Sequence, residues 1–151
     1  MYNAQRFLIA LLFVAVGFPS MSAQASRTFK TRLAPVPLDV SMQSTIAGTG
    51  TVTAVLTGAK LAVTGTFEGL KSPATIAQVH KSAVRGVRGP VIFDLPVTKG
   101  DALNGTLGGT FDLTPLQIAD LGKGLLYVQV HSEKAPDGNL WGWLTPQENK
   151  R

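Results

Sequence analysis

The chain contains no cysteine, only two histidines, and aromatic residues at just 7% of its length. Each shortage excludes something. Without cysteine there is no thiol nucleophile, thiolate metal ligand, redox pair or disulfide, so stability has to come from packing and backbone pairing. A long apolar run is missing as well: the longest, Phe7 to Phe18, has 12 residues, whereas a membrane-spanning helix needs about 20. No Gly-x-Ser-x-Gly elbow, His-Glu-x-x-His pair or phosphate-binding loop occurs. The stretch "GTGTVT" from Gly48 lacks the third glycine and the following helix of a dinucleotide fingerprint.

What stands at the amino terminus is the three-part pattern of a secretory signal. Arg6 supplies the positive end, Phe7 to Phe18 the apolar centre, and Ala23-Gln24-Ala25 the small residues of a cleavage site. Residues 1–25 are therefore expected to be removed, with no membrane attachment afterwards and a secreted or periplasmic location. The remaining 126 residues suit a single domain, residues 26–146, with a polar tail at 147–151. Loss of Arg6 leaves 13 basic and 9 acidic residues, a formal charge of +4. That balance would suggest nucleic acid in a cytosolic protein, but export and the even spread of charge argue against such a partner.

Beyond Ser26 the dominant period is two, the signature of strands. Phe29, Thr31 and Leu33 alternate with Lys30 and Arg32 until Pro35. "GTVTAVLT" (50–57) and "LAVTGTF" (61–67) follow, joined at Thr57-Gly58-Ala59-Lys60 by a hairpin turn. Further strands are expected over 75–80, 91–95, 106–113, 125–131 and 139–144. Pro136-Asp137-Gly138 reads as the turn that returns the His131 strand into "NLWGWL". The strand over 29–33 could serve as a free edge, guarded by its cations and the prolines after it. One helix is expected, capped by Thr114, started by Pro115 and closed by Gly122. The fold class is thus all-β, an antiparallel sandwich or barrel with one short helix.

The two histidines end a repeated tripeptide, Gln78-Val79-His80 and Gln129-Val130-His131. Side chains two apart on a strand share a face. Gln78 with His80, and Gln129 with His131, therefore point one way, while Val79, Val128 and Val130 point to the core. If the strands are neighbours, four polar groups cluster together. Imidazole is the commonest metal ligand, which makes His80 and His131 a candidate metal pair. The objection is ligand count: zinc asks for three or four protein ligands, and no spacing selects Glu68, Glu133 or Asp137 as a third. The plainer reading has both imidazoles bonded to loop backbone and both glutamines bridging strands. A serine triad built on either histidine with Asp94 or Asp137 has no spacing to support it.

Two other groups are candidates. Lys81, Arg85 and Arg88 concentrate positive charge in one loop, which could take an anionic polymer or phosphate or be a solvated loop. Trp141 and Trp143 share a strand face and could stack on a sugar ring or a protein, or cover the end of the barrel. Asn104-Gly105-Thr106 matches a glycosylation acceptor and marks an exposed turn.

"AQVHKSAVRGVRGPVIFDL" (77–95) followed by "LLYVQVHSEKAPDGNLWGWL" (125–144) resembles the CHRD domain, first described in chordin and found in exported microbial proteins. The resemblance is carried by Ala77, His80, Gly86, Gly89-Pro90-Val91, Tyr127-Val128, Val130-His131, Pro136, Gly138 and Gly142. It implies an immunoglobulin-like or Greek-key barrel, no established reaction, and in chordin a setting in a protein that binds other proteins. The sequence departs from the family pattern at Gln78, where a histidine is usual, at Gln129, and at Trp141-Gly142-Trp143. The expectation is a non-catalytic exported module without cofactor, whose partner is an extracytoplasmic protein or polysaccharide. The alternative is a metal-binding protein or metalloenzyme using His80 and His131.

Overall fold

The computed structural model describes residues 25–101 and 103–147. The expected signal segment, apart from Ala25, lies outside the described residues, as do positions 148–151 of the tail. Ten strands and one helix follow in order: β1 (Ser26–Pro35), β2 (Thr49–Thr57), β3 (Lys60–Glu68), β4 (Ala74–Lys81), β5 (Val91–Leu95), β6 (Val97–Lys99), β7 (Gly105–Asp112), α1 (Pro115–Gly122), β8 (Leu126–Ser132), β9 (Ala135–Trp143) and β10 (Thr145–Pro146). A 3₁₀ turn, Val40–Met42, sits between β1 and β2.

All strand pairs are antiparallel, in the order β5-β4-β8-β9-β1-β2-β3-β7-β6, with β10 also on β1. The two ends of that order, β5 and β6, are separated in the chain by Pro96 alone, so the sheet nearly closes into a barrel. Proline suits this corner because it lacks the N–H that a ladder would use. Its carbonyl still accepts from Gly108 N at 3.3 Å. The expected all-β antiparallel fold with one helix is borne out.

The barrel interior follows the period-two pattern. Phe29, Leu33, Val52, Ala54, Leu61, Val63, Val79, Val128, Val130 and Leu140 are all at most 1% exposed and form one cluster. Burying each large apolar side chain contributes roughly 1.5–3 kcal/mol. Helix α1 closes one end with Leu121, fully buried beside Leu126 and Leu144. Its start is a capping box: Thr114 Oγ1 accepts from Gln117 N, and Gln117 Oε1 accepts from Thr114 N.

Several expectations are corrected. β1 is no edge: Ser26 to Leu33 pair with β2, Phe29 and Lys30 also face β10, and Ala34 and Pro35 pair with β9. The helix is closed not by Gly122 but by Lys123 and Gly124, whose φ of +71° favours glycine. Nor is Pro136-Asp137-Gly138 the β8–β9 turn. The chain reverses at Glu133-Lys134, held by bonds from Glu133 N to Pro73 O and from Lys134 N to Ser72 Oγ. Ser132 then pairs with Ala135 and Val130 with Leu140, so His131 alone stands opposite Pro136 to Asn139. Those residues form a bulge inside β9, where proline's missing N–H breaks the ladder and Gly138 takes a φ of +124°.

Candidate functional site

The outward face of β4, β8 and β9 carries the candidate residues. Ladder register sets Gln78 directly opposite Gln129 and His80 opposite Tyr127, while Gln129 faces Trp141 and Tyr127 faces Trp143 on the other side. This face is not open. His80, Tyr127 and Gln129 are 7%, 1% and 2% exposed, because the loop 82–90 and the β9 bulge fold over them.

The roof is pinned by hydrogen bonds. His80 Nδ1 lies 2.9 Å from Gly89 O, and Gly89 N donates to Tyr127 Oη at 3.0 Å. Lys81 N donates to Pro90 O and Ser82 N to Leu125 O, closing the loop at its base. Gly89 has to be glycine: a Cβ there would stand 1.8 Å from Lys81 O. On the other side, His131 Nδ1 lies 2.7 Å from Pro136 O, and Gln129 Nε2 donates to Asp137 O at 2.8 Å. Gly138 is pressed on the same side chain, since a Cβ would meet Gln129 Nε2 at 2.1 Å.

The structure brings the two histidines together, with ring centroids 6.2 Å apart, and stacks His80 on Tyr127 at 4.8 Å. A carbonyl oxygen only accepts, so each Nδ1 carries the proton and each Nε2 presents a lone pair. Both Nε2 atoms are buried without a partner among the described residues, and so is Gln129 Oε1. Burial holds the His80 imidazole below its usual range; the Gly89 hydrogen bond opposes this, and His131 and Arg88 reinforce it. With both Nδ1 atoms committed to main-chain carbonyls, neither histidine has the carboxylate partner of a serine triad. Asp94 instead accepts from Gln78 Nε2 at 2.8 Å. No group of three His, Cys, Asp or Glu able to hold an ion occurs among the described residues.

The three loop cations do not converge. Lys81 Nζ reaches Asp120 Oδ2 on α1 at 2.8 Å, where the carboxylate side chain is 7% exposed. Arg88 donates to Asp137 O across the roof. Arg85 is left on the surface, so the three candidate cations do not gather into one site and the solvated-loop reading fits them better. The tryptophans differ too. Trp143 is 9% exposed and lies 4.6 Å from the Tyr127 ring, and Trp141 packs beside Val36, Ile46 and Ala135. A paired open stacking platform is therefore absent from this face. Asn104 is occupied at both ends of its amide, accepting from Gly69 N and donating to Asp101.

Sequence reasoning passed over Tyr127, Gly89 and Asp120 as site residues. Tyr127 had a signal, since it shares parity with Gln129 and His131. Gly89 was marked only by the family resemblance, and Asp120 by nothing, because their partners lie 38 and 39 positions away in the chain.

Residues 30–144 match the family model of the CHRD domain, and the chain belongs to that family. Comparison with curated proteins and with solved structures gave no match.

Proposed function

We propose that the protein is an exported, non-catalytic CHRD module that holds another extracytoplasmic macromolecule. The observation that supports this is the outer surface of the roof loop. Val84 and Val87 on this loop and Val91 at the start of β5 are 62%, 56% and 44% exposed, near Arg85, which has no partner among the described residues, and the loop is anchored to the sheet at both ends. Exposed branched apolar side chains held in a fixed array have no stabilising role where they stand. They gain by being covered, so a partner that buries them is favoured by roughly 25 cal/mol per Å². A protein surface bearing apolar and acidic groups fits this array better than a polysaccharide, because valine offers a sugar neither a flat ring nor a hydrogen bond. Export rests on the residue 1–25 pattern.

The test is affinity capture from the extracytoplasmic fraction of the producing organism, with the wild-type chain and a Val84→Asp, Val87→Asp variant as baits. A specific protein should be retained by the wild type and lost from the variant, whose fold is checked by circular dichroism. Equal retention by both, or none by either, would defeat the reading.

A further inference from the structure

We propose that His80 and His131 hold a single monovalent copper ion between their Nε2 atoms, beneath the roof loop, with Gln129 Oε1 alongside. This goes beyond the binding role above and does not depend on it.

Three facts carry it. First, the two Nε2 atoms and Gln129 Oε1 are all acceptors, and all are buried without a partner among the described residues. The assignment is forced: Pro136 O, Gly89 O and Asp137 O take the Nδ1–H groups and the amide N–H. Buried acceptors need a donor or a cation, and no donor reaches any of these three among the described residues. Secondly, an Nδ1–H bonded to a main-chain carbonyl with Nε2 left free is how proteins orient imidazoles toward metals. Here it occurs on both histidines of the chain. Thirdly, the two rings, with planes 30° apart, lie within the reach of one shared ion. With metal–nitrogen distances of about 2 Å, imidazole centroids sharing an ion lie roughly 5 Å apart at a tetrahedral angle and just over 6 Å near linearity. The observed separation is 6.2 Å.

Charge selects the ion. No carboxylate joins the pair among the described residues, and the Arg88 guanidinium is bonded to Asp137 O, the same atom that takes the Gln129 amide. A divalent ion here would bury two uncompensated charges beside a third, which desolvation strongly opposes. A monovalent ion with two neutral imidazoles leaves a single charge. Copper(I), filled-shell and content with two nitrogen ligands, fits where zinc lacks its third and fourth. His131 stays partly exposed as a residue, so the approach from solvent leads past it.

The test is an anaerobic titration of the full chain with copper(I) against bicinchoninate, with zinc(II) and copper(II) in parallel. One equivalent of copper(I) should bind, and His80→Phe and His131→Phe should each weaken it roughly 100-fold. Folding of the variants is bypassed by a second measurement on wild-type protein. In imidazole ¹⁵N NMR, copper(I) should shift Nε2 of both rings while both Nδ1 protons remain. Absence of stoichiometric copper(I) binding, equal binding by the variants, tighter binding of either divalent ion, or loss of an Nδ1 proton on binding would each overturn the proposal.

Discussion

On the half of the barrel formed by β2, β3 and β7, the outward residues Thr51, Thr64, Thr66 and Thr106 reach solvent. On β4, β8 and β9 the outward residues His80, Tyr127 and Gln129 are 7%, 1% and 2% exposed. Both faces obey the same alternation, with the core on the other side. The difference is made by chain from elsewhere. Thr51 and Thr66 meet each other across the ladder, hydroxyl to hydroxyl at 3.3 Å, and nothing covers them. His80 and Gln129 are held by Gly89 O and Asp137 O, which belong to a loop and a bulge that fold over the sheet. Alternation therefore identifies what points away from a core; it does not say that away means water.

The contrast can be broken most severely at Gly89. Its replacement by alanine should cost roughly 3 kcal/mol, because the new methyl collides with rigid backbone at Lys81 O. Gly86→Ala in the same loop, with nothing within 4 Å but a φ of +90°, should cost only about 1 kcal/mol. Chemical denaturation of both variants measures this, and equal losses would mean the roof does not seat as described.

A smaller difference separates two ion pairs. Lys81→Met strands the Asp120 carboxylate, which is 7% exposed, and should cost about 1 kcal/mol once screening of the 36% exposed lysine is allowed for. Lys60→Met on the open half removes a pair 60% and 77% exposed, and should change stability by at most about 0.5 kcal/mol. Urea midpoints of the two variants decide the order.

Acid should also act on the two regions at different pH. The folded His80 imidazole is held below its usual value of 6.5, chiefly by burial. The unfolded chain therefore takes up the proton first, and metal-free protein should lose stability as pH falls below that value. Asp101, in the β6–β7 turn, is held below 3.8, first by the Asn104 side chain and then by Leu103 N–H. Its contribution should persist until pH falls below that lower value. Thermal midpoints against pH should show the near-neutral loss diminished in His80→Gln and unchanged in Asp101→Ser. The smallest effect is expected at Thr66→Val, within about 0.5 kcal/mol in the same melts, since its exposed hydroxyl bond exchanges readily with water.

Much of this was legible in the residues. Alternation placed Val79, Val128 and Val130 in the core and put Gln78, His80, Gln129 and His131 together on the other side. Thr114-Pro115 marked the helix start. What failed was local grammar competing with distant contacts. Pro136-Asp137-Gly138 has turn chemistry, yet Ser72 and Pro73 hold Glu133-Lys134 as the turn and leave the triplet as a bulge. Lys81, Arg85 and Arg88 looked like one patch until Asp120 and Asp137 O drew two of them away.

By itself the sequence determined eight of the ten strands, the facing of their side chains, the single helix and the absence of thiol chemistry, because those follow from period, capping and composition within short windows of chain; the short β6 and β10 carried no such pattern. The tertiary structure alone decided that an outward face is enclosed, that both histidines carry a proton at Nδ1, and that each Nε2 atom is buried without a partner among the described residues. The physical reason is that enclosure depends on which backbone carbonyls arrive over the sheet. A carbonyl carries no sequence signature.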